Sequence, residues 1–418
     1  MLRTLHVFAY LPGALEAVRA GRFVHDDATG VGQFVYLPSY RDRTDALVVD
    51  PVGCPLRDDI LPTDLNGGLY GAFRDAAPDF WGRLVAAKEQ RRDPSELRET
   101  DLLLHGGASR VGALDFREFP GAPEPTKTLP QLADLGDLIQ AADALQRGLP
   151  IDEATLHMLQ QGTSMGGARP KCVVHDDDAL WLAKFPARDD TFDNARVEAA
   201  CLRLAAHAGI DVPETRLCPL PDGRTALLVR RFDREAVEGG FARVGFVSAL
   251  TVLEADERDR PRWSYVTLAQ RLRRMNVPPT TFAALFRRMV FNIAVRNTDD
   301  HPRNHGVLLR AGEAAALSPA YDLVPQPATP GVSTEFVLAM SAGDQGRLAS
   351  LDNALSRCAV FGLQEDDARE ICQEVGAAVQ EWEGVFAGQG VSEADRTRFA
   401  ASFDQAEQFV ASHAAKKP

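Results

Sequence analysis

One glycine-rich segment limits what this chain can fold into more than any other stretch of its sequence. The segment reads Gly162-Thr-Ser-Met-Gly-Gly-Ala-Arg-Pro-Lys171, and its glycines and proline exclude a regular helix or strand. Two short apolar runs follow it, at residues 172–175 and 179–185, and three consecutive aspartates separate them. Short apolar runs around a polar turn predict a β-hairpin. The chain is therefore predicted to pass from a loop directly into a hairpin.

A helix is predicted to follow that hairpin. Residues 194–206 place Val197, Ala200, Cys201 and Leu204 at the i, i+3, i+4 and i+7 spacing of an amphipathic helix. Residues 225–232 form a further apolar run, typical of a buried strand. Beyond this run the hydrophobic pattern has a period of 3.6 residues as far as residue 410, so the C-terminal half is predicted to be mainly helical.

The N-terminal part has a different character. Its first 120 residues or so mix short β-patterned runs, a helical stretch and turn residues, which indicates a small α/β subdomain. The β-patterned runs are residues 6–10, 32–37 and 46–49, and the helical stretch is residues 80–90. Proline and small polar residues at 121–128 predict a linker, and helical spacing returns at 132–160. We therefore expect three domains: 1–125, 126–235 and 236–418.

A polar loop at residues 297–305 carries the strongest chemical signal. Asp299 precedes Asn304 by five residues, which is the spacing of the protein-kinase catalytic loop. In that loop the Asp accepts the proton of the substrate hydroxyl, and the Asn helps to hold Mg²⁺. Asp322 follows in an apolar frame, where a carboxylate without a cation is costly. A solvated surface turn remains the alternative for the loop taken alone.

The hairpin and the next helix supply charges suited to a nucleotide. Lys184 lies between Ala183 and Phe185 on the second predicted strand, and Glu198 on the helix is its candidate partner. A strand lysine that grips phosphates and pairs with a helix glutamate is a kinase arrangement, although a surface salt bridge explains the same pair. The glycines at 162–171 allow backbone amides to approach an anion. The segment at 227–234 is the candidate surface for adenine.

Charge and hydropathy exclude some partners. The formal net charge of -13 opposes direct binding to a nucleic-acid backbone. Pro12, Gly13 and Glu16 interrupt the apolar N-terminal run, so it resembles neither a signal peptide nor a membrane span. We expect a cytoplasmic protein that does not bind membranes.

The ordered set of motifs resembles the HipA toxin kinases, a family of serine/threonine kinases from toxin–antitoxin systems. The resemblance extends over essentially the whole chain. It is carried by residues 77–83 and 101–116 in the first domain, and then by residues 164–171, 183–186, Glu198, 228–234, 298–304 and 318–322.

This resemblance implies a fold and an activity. The fold is α+β and protein-kinase-like with two lobes, preceded by an N-terminal α/β subdomain and ending in a mainly helical lobe. The implied activity is ATP- and Mg²⁺-dependent phosphorylation of a translation-related protein, such as an aminoacyl-tRNA synthetase, which arrests growth. The implied partner is a small helix-turn-helix antitoxin, through which the chain reaches DNA indirectly.

The resemblance also implies roles for individual residues. Asp299 is the expected catalytic base, and Asn304 and Asp322 are the expected Mg²⁺ ligands. Lys184 is expected to hold the α- and β-phosphates, and Glu198 to orient it. Ser164 is the expected site of inhibitory autophosphorylation, with Thr163 as the alternative. The remaining expected ATP-binding residues are Gly166, Gly167, Ala168, Lys171, Val229, Arg230, Arg231, Phe232 and His301.

Two alternatives stay open. The pattern Asp299-x-His301-x-x-Asn304 is also similar to the catalytic loop of phosphoinositide kinases, so a lipid or small-molecule kinase fits the motif. An inactive kinase fold that acts as a corepressor with a DNA-binding antitoxin is the second alternative. Asp300 departs from the pattern, because glycine often stands there, and its charge is expected beside the metal site.

Overall fold

The structure is a computed structural model that describes residues 1–125, 128–163, 167, 169–327 and 335–414, with side chains to residue 410. The chain forms two compact units. Unit 1 comprises residues 1–189, 215–254 and 308–313, and unit 2 comprises residues 190–214, 255–307 and 314–418. The division into 1–125, 126–235 and 236–418 stays a prediction.

An antiparallel sheet forms the N-terminal part of unit 1. Its strands are Leu2–Tyr10 (β1), Ala17–Asp26 (β2), Val31–Tyr36 (β3), Leu61–Thr63 (β4) and Leu114–Arg117 (β5). The strand order is β4-β3-β2-β1-β5. On one side Phe23 and Phe34 meet Phe73 edge-to-face, with ring centroids 5.1 and 5.7 Å apart. Aromatic burial of this kind stabilises the sheet.

The predicted strand at residues 46–49 is wrong, because this stretch is irregular. Its backbone groups bond to tyrosine hydroxyls and not to a neighbouring strand. Tyr40 Oη donates to the carbonyl of Leu47 at 2.7 Å and accepts from the amide of Leu47 at 3.1 Å. The amide of Val49 donates to Tyr36 Oη at 3.0 Å. The tyrosine hydroxyls therefore supply hydrogen-bond partners to the backbone of this apolar run, in place of the neighbouring strand that the sequence pattern predicts.

Several helices of unit 1 precede the glycine-rich segment, and they include the helix predicted at residues 80–90. They are Pro38–Arg41 (α1), Gly71–Ala76 (α2), Phe80–Gln90 (α3), Glu99–His105 (α4), Leu135–Gln146 (α5) and Glu153–Gly162 (α6). The helical stretch predicted at 80–90 is therefore confirmed. The stretch predicted at 132–160 forms two helices, because Gly148 and Pro150 interrupt it.

A second antiparallel sheet in unit 1 contains the predicted hairpin. Its strands are Lys171–His175 (β6), Leu180–Lys184 (β7), Thr215–Pro219 (β8) and Thr225–Arg230 (β9), in the order β6-β7-β9-β8. Trp181 and Leu228 of this sheet pack in one core with Val85 of α3, Leu138 of α5 and Leu159 of α6. The hairpin and the strand at 225–232 are confirmed.

Short elements complete unit 1. They are Arg234–Val237 (β10), which pairs with Gly240–Arg243 (β11), followed by Gly245–Ser248 (β12) and Ala249–Val252 (α8). Gly306–Leu309 (β13) runs from unit 2 into unit 1.

Unit 2 is mainly helical, as predicted. Its elements are Asn194–His207 (α7), Tyr265–Arg274 (α9), Thr280–Ala294 (α10), Ala316–Leu317 (β14), Leu351–Leu355 (α11), Glu365–Val379 (α12), Trp382–Gly388 (α13), Glu393–Phe399 (α14) and Gln405–Ala414 (α15). Asp193 caps α7 by accepting a hydrogen bond from the amide of Arg196. Almost the whole of α10 is buried, so this helix is central to the core of unit 2. No helix in the described residues is long and apolar enough to cross a membrane.

Candidate active site

The polar loop that follows α10 begins with a sharp reversal of the chain. Arg296 adopts a left-handed conformation with φ of 53°. The amide of Asn297 then donates back to the carbonyl of Asn292 at 2.9 Å, which closes the last turn of the helix. Asn297 Oδ1 accepts from the amide of Asp299 at 3.3 Å. The loop is therefore anchored to a buried helix immediately before its candidate catalytic residue.

Asp299 and Asn304 are in direct contact. Asn304 Nδ2 donates to the backbone carbonyl of Asp299 at 2.8 Å. The five-residue spacing is closed by a short 3₁₀ turn, Pro302–Asn304. The side chain of Asp299 is 72% exposed, and His301 Nε2 lies 3.9 Å from its Oδ1. The loop thus presents one carboxylate outward while its backbone is held from within.

The pKa of Asp299 is raised. Partial desolvation by the surrounding protein is the main cause; His301 opposes the shift, and the negative charge of Asp322 adds to it. A carboxylate with a raised pKa is a better proton acceptor than an ordinary aspartate. The same interaction shows that Asp322 acts electrostatically on Asp299.

Asp322 is held in a strained conformation beside this loop. Its φ is 54°, in the left-handed region that Asp tolerates better than most residues. Two bonds tie its segment to the catalytic loop. Tyr321 Oη donates to the carbonyl of Arg303 at 2.8 Å, and the amide of Gln326 donates to the carbonyl of Arg296 at 3.0 Å. Backbone strain maintained by surrounding contacts is a feature of functional sites.

The oxygen donors of unit 2 suit Mg²⁺. Because a carbonyl oxygen accepts hydrogen bonds and cannot donate them, the Asn304 amide must face the Asp299 carbonyl with its nitrogen. Asn304 Oδ1 therefore points away from Asp299 O. That oxygen and the Asp322 carboxylate are hard ligands of the kind Mg²⁺ prefers. The described residues contain no group of three or more His, Cys, Asp or Glu able to hold a metal. One or two protein oxygens fit Mg²⁺, which keeps waters and binds substrate phosphates.

Asp300 occupies a different place from the one expected. Its carboxylate is fully buried and accepts hydrogen bonds from Tyr265 Oη at 2.7 Å and from the amide of Ala339. Burial raises the pKa of Asp300 to about 6, against the effect of these bonds. The predicted charge beside the metal site is therefore corrected to a carboxylate turned into the interior of unit 2.

Unit 1 carries the candidate phosphate-binding lysines. Lys171 on β6 and Lys184 on β7 are directly opposite in the ladder, so both side chains lie on the same face of the sheet. Lys171 is buried and Lys184 is partly buried. Two cations on one face suit an anionic ligand. Glu198 lies in unit 2, buried on α7, and its role stays a prediction.

Gly167 of the glycine-rich segment is hydrogen-bonded to Asp79 and Trp81 at the start of α3; we call these two bonds the Gly167 clamp. The amide of Gly167 donates to Asp79 Oδ2 at 2.9 Å, and the carbonyl of Gly167 accepts from the amide of Trp81 at 3.3 Å. Trp81 Nε1 also donates to the carbonyl of Lys171 at 2.9 Å. Gly167 has a φ of 109°, a backbone conformation that residues with a Cβ rarely adopt, so glycine is strongly favoured there. Ser164, Gly166 and Ala168 lie outside the described residues.

The candidate adenine segment at 227–234 is tied to neighbouring residues by buried hydrogen bonds. Arg231 is buried and binds both carboxylate oxygens of Asp233, at 2.8 and 2.6 Å, and the carbonyl of Ser109 at 2.6 Å. Its guanidinium is thus engaged within unit 1. Phe232 is partly buried and tilts against Phe246, and Val229 is buried in β9, whereas Arg230 is exposed. This leaves backbone and apolar groups of the segment as the candidates for adenine.

Sequence reasoning missed several residues that support the loop. Tyr265, Asn292 and Asn297 form a buried polar cluster behind it, and Asp79 holds Gly167. The asparagine Asn292 within the apolar stretch at 289–294 of α10 was the available signal for the first group. Asp79 lies within the motif at residues 77–83, but its bond to Gly167 was not predicted, because the two residues are far apart in the sequence.

This chain is similar to known proteins in sequence and in fold. Residues 163–382 match the family model of the HipA-like C-terminal domain. The protein named "Putative kinase Y4mE" of Sinorhizobium fredii is 32% identical over 362 residues, which is 79% of this chain and 80% of that protein. "Putative kinase Y4dM" of the same organism is 27% identical over 220 residues, which is 49% of this chain and about half (51%) of that protein.

The fold has a close counterpart among solved structures. The HipA chain in the Shewanella oneidensis MR-1 complex of HipA, HipB and operator DNA superposes with a TM-score of 0.70 at 16% identity, and covers 97% of this chain and 96% of its own. This likeness confirms the predicted two-lobed, kinase-like α+β fold class. Since the family model spans more than half of the chain and a relative 32% identical matches over 79% of it, the chain belongs to the HipA-like family.

Proposed function

We propose that this chain is an ATP- and Mg²⁺-dependent serine/threonine protein kinase. One observation carries the proposal: Asp299 presents an exposed carboxylate on a loop whose backbone is fixed by Asn304. The raised pKa of Asp299 favours acceptance of a proton. This geometry meets the requirement of phosphoryl transfer, in which the protein positions groups and stabilises charge.

In the proposed reaction Asp299 accepts the proton of a serine or threonine hydroxyl. The hydroxyl oxygen bonds to the γ-phosphorus of ATP, and the bond to the β,γ-bridging oxygen breaks, which releases ADP. Asn304 Oδ1 and the Asp322 carboxylate would hold Mg²⁺, and the ion would neutralise charge on the phosphates when bound. Lys171 and Lys184 supply further positive charge from one face of their sheet. The predicted roles of Glu198, His301 and residues 229–232 are part of this proposal.

The proposed substrate is a translation-related protein, with an aminoacyl-tRNA synthetase as the leading candidate, and the proposed consequence is growth arrest. The proposed partner is a small helix-turn-helix antitoxin. The solved relative is a complex of HipA with HipB and operator DNA, which supports such a partner. The net charge of -13 supports indirect contact with DNA.

The central test is Asp299→Ala in a phosphorylation assay with labelled ATP and bacterial lysate. We expect the variant to lose phosphate transfer and to retain ATP binding and its melting temperature, because Asp299 acts on the hydroxyl and is exposed. Asp366→Ala, which removes an exposed carboxylate on α12, is the matched control and should behave as wild type. Wild-type transfer by the Asp299 variant contradicts the proposal, and labelling of added lipid alone favours the lipid-kinase alternative.

The partner proposal is tested by a gel shift with operator DNA. The purified chain alone should bind weakly, and addition of a helix-turn-helix protein encoded beside it should produce a supershifted complex. Tight, salt-sensitive DNA binding by the chain alone contradicts this part of the proposal.

We also propose self-inhibition by phosphorylation of Ser164. A phosphate would add about -1.5 to -2 charges to the glycine-rich segment, which is proposed to cover the phosphates of ATP. Prolonged incubation with Mg-ATP should add one phosphate, map to Ser164 and lower the affinity for fresh ATP. An active enzyme whose peptide map shows Ser164 unmodified contradicts this step, and a phosphate on Thr163 moves the site by one residue.

A further inference from the structure

A closed ring of hydrogen bonds lies inside unit 2, behind the catalytic loop. Tyr265 Oη donates to Asp300 Oδ2 at 2.7 Å and accepts from Asn292 Nδ2 at 2.9 Å. Asn292 Oδ1 accepts from Asn297 Nδ2 at 3.1 Å, and Asn297 Oδ1 accepts from the amide of Asp299 at 3.3 Å. The peptide bond between Asp299 and Asp300 closes the ring. The backbone of Asp299 is thereby held on both sides.

The ring is built from buried polar groups that have few alternative hydrogen-bond partners. Tyr265, Asn292, Asn297 and Asp300 are each at most 1% exposed. Without water to replace a lost partner, each polar group depends on the next one in the ring. Asn292 belongs to α10 and Tyr265 begins α9, so the ring links the catalytic loop to two packed helices. Its geometry can therefore fix the position of a backbone that is otherwise on the surface.

A second layer of contacts surrounds the same tyrosine and carboxylate. His305 Nε2 lies 3.2 Å from Tyr265 Oη, and the two rings meet edge-to-face with centroids 5.2 Å apart. The amide of Ala339 donates to Asp300 Oδ1, and the amide of Tyr265 donates to the carbonyl of Ser341 at 3.0 Å. These contacts hold Tyr265 and Asp300 in one arrangement from several directions.

We propose that Tyr265 and Asp300 are positioning residues that set the place of the catalytic Asp299 through this ring. The inference rests on the proposed role of Asp299 as base. A base must lie within hydrogen-bond reach of the hydroxyl that it deprotonates, and displacements near 1 Å cost about 100-fold in rate. The carboxylate of Asp299 is exposed, but its backbone is held in place by hydrogen bonds among buried residues. Lys171 and Lys184, which are proposed to bind the ATP phosphates, are not members of the ring.

The test compares Tyr265→Phe with Tyr40→Phe in the full chain. Each change removes one buried hydroxyl that makes hydrogen bonds, and Tyr40 lies in the N-terminal part of unit 1, where it bonds to Leu47. We expect Tyr265→Phe to lower the rate of labelled-phosphate transfer to lysate proteins at saturating ATP by about 10- to 100-fold. The KM for ATP should change less than about threefold, because Lys171 and Lys184, the proposed phosphate-binding residues, are not part of the ring. Tyr40→Phe should lower the melting temperature by a similar amount and keep the wild-type rate.

Asp300 provides an independent variant pair. Asp300→Asn keeps an acceptor for Tyr265 Oη, whereas Asp300→Ala removes it, so the Asn variant should retain several-fold more activity per folded molecule. Equal activity of the two variants, or a wild-type rate for Tyr265→Phe, overturns the inference. Loss of activity in both tyrosine variants in proportion to unfolded protein also overturns it.

Asp299→Ala is included in each assay to separate the two proposals. Full activity of Asp299→Ala refutes the proposed function. An inactive Asp299 variant beside a fully active Tyr265 variant refutes only the positioning role.

Discussion

Asn304 Nδ2 donates a 2.8 Å hydrogen bond to the backbone carbonyl of Asp299. The two residues are five positions apart in the sequence, and the bond fixes the orientation of the Asn304 amide. Its Oδ1 is thereby available as a ligand while its nitrogen supports the loop. A single side chain thus serves both the shape of the loop and its expected metal chemistry.

Replacement of Asn304 should therefore damage catalysis more than stability. We expect Asn304→Ala to lower kcat/KM for phosphate transfer by about 100-fold, because the loop loses a tether and the metal loses an oxygen ligand. Asn353→Ala is the matched control, since Asn353 is a buried asparagine of unit 2 that donates to the carbonyls of Gly346 and Leu348. That control should melt earlier and keep its rate per folded molecule. Equal catalytic loss in both variants would contradict the assigned role.

Asp322 is best tested by Asp322→Asn. The φ of 54° would strain an alanine, whereas asparagine tolerates the left-handed region, so the change isolates the charge. We expect the Mg²⁺ concentration for half-maximal activity to rise on the order of tenfold, because the ligand loses its formal charge. A metal titration at fixed ATP measures this. Removal of Asp322's negative charge should also lower the pKa of Asp299, since Asp322 helps to raise it.

The clamp on Gly167 predicts an effect on nucleotide binding. Asp79→Ala removes the acceptor of the 2.9 Å bond from the Gly167 amide. We expect the KM for ATP to rise about tenfold with little change in kcat, because one charge-assisted bond that orders the segment is lost. Asp93→Ala, which removes an equivalent 2.9 Å carboxylate bond to the amide of Ser95, is the control. An unchanged KM for ATP in the Asp79 variant shows that the clamp has no part in nucleotide binding.

Asp300 predicts a pH dependence of stability. Burial raises its folded-state pKa to about 6, above the ordinary value of 3.8. The folded protein therefore binds a proton that the unfolded chain has released, and this stabilisation is lost as the pH rises from about 4 through 6. A shift of this size corresponds to about 3 kcal/mol. The difference in unfolding free energy between wild type and Asp300→Asn, measured by denaturant titration, should fall by up to that amount between pH 4 and 7. A difference independent of pH contradicts the buried titration.

The ion cluster of unit 1 predicts a large effect on stability. Asp233 is buried and accepts from Arg231, from Arg234 and from the amide of Gly112. Burial alone would raise the pKa of Asp233, but the two arginines hold it well below its usual range. Asp233→Asn leaves buried guanidinium charge without its counter-ion and should destabilise unit 1 by about 3–5 kcal/mol.

An exposed pair provides the control for that change. Asp222 pairs with Arg224 at the surface, so Asp222→Asn should cost less than about 1 kcal/mol. Calorimetric or denaturant unfolding of both variants measures the contrast. Similar small losses in the two variants would show that the buried cluster does not contribute as its burial implies.

Local pattern was sufficient for much of the fold. The hairpin formed by β6 and β7, the helix α7 and the strand β9 were predicted because their apolar periods match the periods of helix and strand. The strand predicted at residues 46–49 was wrong because an apolar pattern alone does not show that a stretch pairs with a neighbouring strand. Its apolar pattern resembles a strand, but tyrosine hydroxyls from elsewhere satisfy its backbone.

The sequence by itself determined the residues that bear the chemistry, since the spacing of Asp299 and Asn304 and the later Asp322 are covalent facts. Only the tertiary structure decided how they are held. The bond from Asn304 to Asp299 is local, and the 3₁₀ turn at Pro302–Asn304 allows it. The bond from Gly167 to Asp79 and the inward turn of Asp300 toward Tyr265 depend on partners distant in the chain. Such contacts follow from packing and from the need to satisfy buried polar groups, and no local sequence pattern encodes these pairings.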